Sequence, residues 1–215
     1  MGKLITEQIE DVQFIVEDHQ GKKTYCVEGI FIMCDVVNRN NRNYPFPIAQ
    51  KAVDAYNKDY IMKNRALGEL GHPDNPTINL ERVSHMITTL RPDGTNFIGK
   101  AKILDTPMGN IAKGLLDGGA KLGISTRGVG SLKPSNGCNI VQSDFKLATA
   151  GDLVHDPSAH EAFLQSFMEN KEWIYENGNW KEAEYEKAKR VIKAARKDDI
   201  EFVALKLFEN YISKI

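Results

Sequence analysis

Residues 83–104 read VSHMITTLRPDGTNFIGKAKIL. Two runs rich in β-branched and apolar residues flank RPDGT, which predicts a β-hairpin turning at Pro92-Asp93-Gly94. A hairpin is antiparallel, so this stretch points to a β-rich α+β domain or barrel. Upstream, GELGHPDNPTINLE (residues 68–81) is too rich in breakers for a regular element. IAQKAVDAYNKDYIMKN (48–64) spaces Ile48, Val53, Tyr56 and Tyr60 as a helix does, with Pro47 near its start. NRNNRNYPFP (38–47) is an irregular loop, and TYCVEGIFIMCDVV (24–37) is a strand with Gly29 as its expected bulge. A shorter apolar run covers 11–18.

Downstream, PMGNIAKGLLDG (107–118) suggests a short helix closed by Gly118 or Gly119. AKLGISTRGVGSL (120–132) then reads as a strand, SLKPSNGCN as a turn-rich connection, and IVQSDFKLATAGDLV as one or two further strands. The expected core mixes about six strands with two helices. It occupies residues 1–160. Residues 161–215 change character: they hold ten basic and eleven acidic side chains, with Gly178 the clear break. Ile200, Val203, Leu207 and Tyr211 trace one helical stripe there, so a charged helical C-terminal segment is expected.

Composition narrows the function classes. Some 41% of residues are hydrophobic, 27% are charged and the net charge is -1, which describes a packed domain without the basic field a general polyanion binder needs. An RNA-binding β-domain using the Arg/Asn loop at 38–43 is therefore disfavoured, since no aromatic-basic stacking pattern accompanies it. Cys26, Cys34 and Cys138 lack zinc or redox spacing, and their odd number fits a reducing compartment. No apolar run approaches the roughly eighteen residues of a membrane span, so a soluble intracellular chain is expected, with no cofactor, metal, nucleic-acid or membrane partner.

Strand 120–132 holds the chemistry. Glycine is a poor strand residue unless a bulge or a close approach requires it. In an extended chain Ser125 and Arg127 share a face and Thr126 points away. Ser125 is thus either a strand serine beside a glycine bulge or a nucleophile, with Ser131 as its rival. Backbone amides near Arg127 and Gly128 are the candidate oxyanion donors, with Arg127 in support. His72, held between Gly71 and Pro73, is the candidate base, and Glu69 and Asp74 are its candidate tuners. His85 alternates into a strand interior and reads first as a structural histidine. GxSxxG is not the GxSxG nucleophile elbow, and no P-loop or HExxH helix is present.

Four blocks carry a resemblance to a known family: EGIFIMCDVVNRNNRNYP, ALGELGHPDNP, GISTRGVGSL and FKLATAGDLVHDPSAHEAF. In this order they resemble the prohead maturation proteases of T4-like tailed phages, over roughly residues 27 to 163. The resemblance implies a serine endopeptidase with a herpesvirus-assemblin-like fold, a distorted, mostly antiparallel β-barrel with surrounding helices. It puts the catalytic histidine on His72 and the nucleophile on Ser125. The third member is expected at Asp152: a phage-type alignment leaves Ala150 at the equivalent position, and a two-residue shift preserves the strand face. His85 is the assemblin-style alternative and Asp156 a further one. The substrates implied are phage scaffold and core proteins, the leading segment of the major capsid protein and the protease itself, within a prohead in the bacterial cytoplasm; homo-oligomers are compatible. Ile5-Thr6-Glu7, Ile174-Tyr175-Glu176 and Leu207-Phe208-Glu209 fit the implied preference for a hydrophobic residue two before glutamate, so removal of the tail by self-cleavage is expected. A noncatalytic prohead core protein with a degraded site is the alternative.

Overall fold

The computed structural model describes residues 2–155 apart from 10, 11, 20, 21, 74 and 136, together with 172–176, 179–183, 188, 191, 192, 195 and 203–207. The chain begins with β1 (Gly2–Ile9), β2 (Val12–His19), β3 (Lys22–Met33) and the short β4 (Arg42–Asn43). α1 (Phe46–Tyr56) follows, running on into a π-helical turn at Asn57–Ile61, then β5 (Leu67–Glu69) and a 3-10 turn at Leu80–Arg82. Next come β6 (Val83–Asp93), β7 (Asn96–Ile103), α2 (Pro107–Asp117), β8 (Gly123–Gly130), β9 (Leu132–Ser135), β10 (Cys138–Val141) and β11 (Lys146–Val154). β12 (Glu172–Glu176) and β13 (Asn179–Glu182) complete the strands.

These strands make two five-stranded sheets, β11-β8-β1-β12-β13 and β2-β3-β7-β6-β5, and a small third sheet, β4-β10-β9. Among the described residues the ladders are antiparallel except β4–β10, which is parallel. The α+β class and antiparallel pairing follow the sequence expectation, whereas the expected barrel is not closed. An isolated parallel bridge, Leu70 to Leu153, links the backbones of the two large sheets just beyond β5 and within β11. That seam is where the site forms. One core cluster fills the space between the sheets, with Phe31, Ile87, Phe97 and Ala101 from one and Ile5, Ile124, Leu147 and Leu153 from the other, and Ala49, Val53 and Tyr56 of α1 packed against it.

The β6–β7 hairpin turns one residue later than expected. Pro92 pairs with Phe97 and Asp93 with Asn96, leaving Gly94 and Thr95 at the tip, with Gly94 at φ 58. Glycine takes the left-handed position, while Pro92 sits one pair from the end, where an antiparallel ladder requires no N–H bond. The expected bulge at Gly29 is also displaced: Gly29 pairs with Gly99, and the register shifts between Ile30 and Ile32. Gly99 is needed for another reason, because a Cβ there would lie 2.5 Å from the Phe31 ring.

The helical reading of the tail is corrected over 172–182. Two strands form there, Trp173 is buried, and β12 pairs with β1. The run Trp173-Ile174-Tyr175, followed in sequence by Asn177-Gly178, is a hairpin signal that the surrounding charges obscured. Residues 203–207 are helical; Ile200 and Tyr211 of the expected stripe lie outside the described residues. β1 is a further element with no forecast from the sequence. Among the described residues no helix is long and apolar enough to cross a membrane.

Candidate active site

β8 is paired on both sides, to β1 and to β11. Its alternation does what the sequence predicts: the side chains of Ser125 and Arg127 reach one common cluster, while Thr126 donates on the other face to the buried carbonyls of Phe31 and Ala150. Gly128 shares that second face. A Cβ there would lie 2.4 Å from the Phe145 ring, so the glycine admits the ring.

Across from β8, β11 carries two register shifts. Leu147 stands opposite Gly128, Thr149 opposite Arg127 and Asp152 opposite Ser125. With a straight register from Leu147, Ala150 would face Ser125. The two bulges slip β11 by two residues in total and put Asp152 there instead. Two is an even number, so the side chain returns to the same face of the sheet.

His72 comes from the loop after β5. Gly71, at φ 77, donates its N–H to Leu153 O at 2.8 Å, which ties the residue before His72 to the neighbour of Asp152. The Ser125 hydroxyl lies 2.9 Å from His72 Nε2, and His72 Nδ1 lies 3.1 Å from Asp152 Oδ2. Asp152 is fully buried. Its Oδ2 also accepts from Arg127 Nε at 2.7 Å, and its Oδ1 accepts from Arg127 Nη2 at 3.2 Å and from the Glu69 backbone at 2.9 Å. Burial alone would raise this carboxyl, but the Arg127 guanidinium and the His72 hydrogen bond outweigh it and bring Asp152 down to about 2. Near neutrality Asp152 is therefore an anion accepting a hydrogen bond from Nδ1–H, which leaves Nε2 as the acceptor for the Ser125 hydroxyl.

The Arg127 side chain is committed to holding the site. Besides Asp152 it donates to Glu69 Oε1 at 3.2 Å and to the Asn75 carbonyl, and it is fully buried. Arg127 and Gly128 lie in a strand paired with Thr6 and Ile5 of β1 on one side and with Thr149 and Leu147 of β11 on the other.

His85 stands apart from this cluster. Its Nδ1 accepts from Ser84 Oγ at 2.9 Å and its Nε2 donates to Gly151 O at 2.9 Å. Gly68 opposite it has no room for a Cβ, which would fall 2.1 Å from Nε2. Burial lowers His85 below its ordinary 6.5, with Asp152 and the Gly151 hydrogen bond opposing. Asp156 and Asp74 lie outside the described residues. Glu69 turns away from His72, toward Arg127 and Arg82. Ser131, the rival serine, donates to Asp144 Oδ2 at 2.6 Å and has a carboxylate, not an imidazole, as its partner. Cys26, Cys34 and Cys138 are not joined in any disulfide among the described residues.

A hydroxyl, an imidazole and a buried carboxylate joined in series form the constellation of a serine hydrolase. Residues 5–172 match the family described as prohead core protein serine protease. The chain belongs to that family. It is 35% identical over 163 residues to the prohead core protein protease of Enterobacteria phage T4, covering 70% of this chain and 74% of the relative. The solved structure of the bacteriophage T4 capsid assembly protease superposes with a TM-score of 0.67 at 30% identity, covering 73% of this chain and 99% of that one.

Proposed function

We propose that this chain is a serine endopeptidase that cleaves the internal core and scaffold proteins and the leading segment of the major capsid protein of a phage prohead, and also cleaves itself. It works inside the immature capsid, in the cytoplasm of the bacterial host. The observation that carries the reading is the continuous path Ser125 Oγ–His72 Nε2–His72 Nδ1–Asp152 Oδ2, with links of 2.9 and 3.1 Å.

In the reaction His72 accepts the Ser125 proton through Nε2 as Oγ attacks the scissile carbonyl. Asp152 fixes the tautomer and stabilises the imidazolium that forms. His72 then protonates the leaving amine, and water repeats the sequence against the acyl-enzyme. Arg127 is not placed on substrate in this scheme; it keeps Asp152 ionised and oriented. Amides near Arg127 and Gly128 take the oxyanion once β1 has left their strand.

Self-cleavage draws support from the same pairing. Glu7 and Gln8, at the end of Ile5-Thr6-Glu7, lie opposite Thr126 and Ser125. A chain with this candidate site therefore already runs along the nucleophile's strand. Ile174-Tyr175-Glu176 is in β12 rather than in a helix, so the opening it requires is separation of an outer strand pair. Leu207-Phe208-Glu209 extends beyond the described residues.

The test compares wild type with Ser125→Ala on a purified prohead core protein, following both substrate fragments and the mass of the protease. Wild type is expected to cut both, and Ser125→Ala neither. Equal cleavage by the two would refute the role of Ser125, and no cleavage by either would favour a noncatalytic core protein.

A further inference from the structure

We infer that Glu69 is a positioning residue for peptide hydrolysis, a buried carboxylate that acts on His72 through Arg127 and Asp152. The inference rests on the Ser125–His72–Asp152 reading above. Glu69 is fully buried at the end of β5. None of its hydrogen bonds goes to Ser125 or His72. Its Oε1 accepts from Arg127 Nη2 at 3.2 Å and from the Asn79 backbone N–H at 2.9 Å, and its Oε2 lies 3.2 Å from Arg82 Nε. Its own N–H donates to Asp152 Oδ1 at 2.9 Å.

Two consequences follow from this placement. Glu69 holds the far end of the His72 loop through Asn79, while the near end is pinned by Leu70 donating to Arg82 O and by Arg82 Nη2 donating back to Leu70 O. Both ends of the loop that presents the imidazole thus meet beside one carboxylate. In addition, the Arg127 guanidinium is planar, and its Nε and Nη2 grip Asp152 as a fork. A third bond, from Nη2 to Glu69, fixes the plane of that fork and hence the direction in which Asp152 faces His72.

The charges point the same way. Glu69 and Asp152 are two fully buried carboxylates set against one fully buried cation, Arg127, while Arg82 remains 43% exposed. Such a cluster is arranged to receive the positive charge that appears on His72 as Ser125 attacks. Neutralising Glu69 leaves Arg127 to draw on Asp152 alone, and the imidazolium loses part of its stabilisation.

The experiment measures kcat and KM for Ser125-dependent cleavage of a peptide substrate by the full chain. It compares wild type, Glu69→Gln, Asp152→Asn and the Glu69→Gln/Asp152→Asn double variant. Glutamine keeps an oxygen for the Asn79 N–H and removes only the charge. Glu69→Gln is expected to lower kcat about tenfold or more with KM within about twofold, and to slow Asp152→Asn by no more than about twofold, because the effect runs through Asp152. Unchanged kcat in Glu69→Gln, or losses that multiply in the double variant, would overturn the inference while leaving the protease reading intact. If Glu69→Gln does not fold, Glu69→Gln/Arg82→Gln removes the ion pair together, and the same kcat loss is expected of it. Ser125→Ala cleaving as fast as wild type would instead strike the reading beneath.

Discussion

Asp152 shows how much one residue's surroundings decide. A buried carboxylate without a cation would take up a proton and could not orient an imidazole. Arg127 prevents this, which gives a glycine-flanked arginine in the middle of a strand its purpose. Asp152→Asn keeps the shape but offers His72 an amide, which favours the wrong tautomer, so kcat should fall by about 10⁴ with the fold retained, as stopped-time cleavage and circular dichroism would register. Acid stability separates two other effects. His85 is lowered below 6.5, so the unfolded chain takes up a proton that the folded one refuses, and stability should decline as pH falls through 6.5. Asp152 is depressed from 3.8 to about 2, so its contribution is complete above 3.8 and lost between there and about 2. Urea titrations at a series of pH values should find the first decline flattened in His85→Gln and the second unchanged. His72 and Ser125 stood out in the sequence because glycine and proline frame them. Glu69 was visible only as a neighbour of His72, since no local pattern reveals that its side chain turns toward a strand almost sixty residues away.

At the scale of elements, the site depends on irregularities more than on regular structure. The β6–β7 hairpin, α1, α2 and β8 were legible because alternation, helical spacing and turn residues are local signals. The two bulges of β11 were not. Nothing in KLATAGDLV states that the ladder slips twice, yet without both slips Ala150 would stand where Asp152 does. β1 and β12 were missed for a related reason: polar and charged residues interrupt or border the apolar ones in GKLITEQI and EWIYE, and it is the partner strand that makes each a strand. The His72 loop has its own special position at Gly71. A Cβ there meets both a left-handed φ of 77 and Arg82 Nη2 at 2.9 Å. Gly71→Ala should therefore cost about 1–2 kcal/mol, and it should lower kcat more than the loss of folded protein explains. Denaturation midpoints measured beside turnover by the folded fraction would separate the two.

Across the whole molecule, two sheets are bridged where β5 gives way to the β11 edge, and the groups proposed for catalysis come from both sides of that seam. His72 follows β5 of one sheet, while Ser125 and Asp152 belong to β8 and β11 of the other. The family match ends at residue 172, where β12 begins. β12 nevertheless extends the sheet that carries Ser125 by pairing with β1, so the tail is tied to the strand that lies beside Ser125. A chain ending at residue 171 should leave β1 as the sheet edge. Hydrogen exchange should then quicken in β1 while β8 and β11 keep their protection; equal protection in β1 would contradict that coupling.

The most direct test is covalent. The proteolytically active protein, treated with a fluorophosphonate and mapped by peptide mass spectrometry, should carry one phosphonyl group on Ser125 and lose its activity in proportion, with His72→Ala remaining unlabelled. Labelling of Ser131, or full inactivation with Ser125 unmodified, would contradict the account.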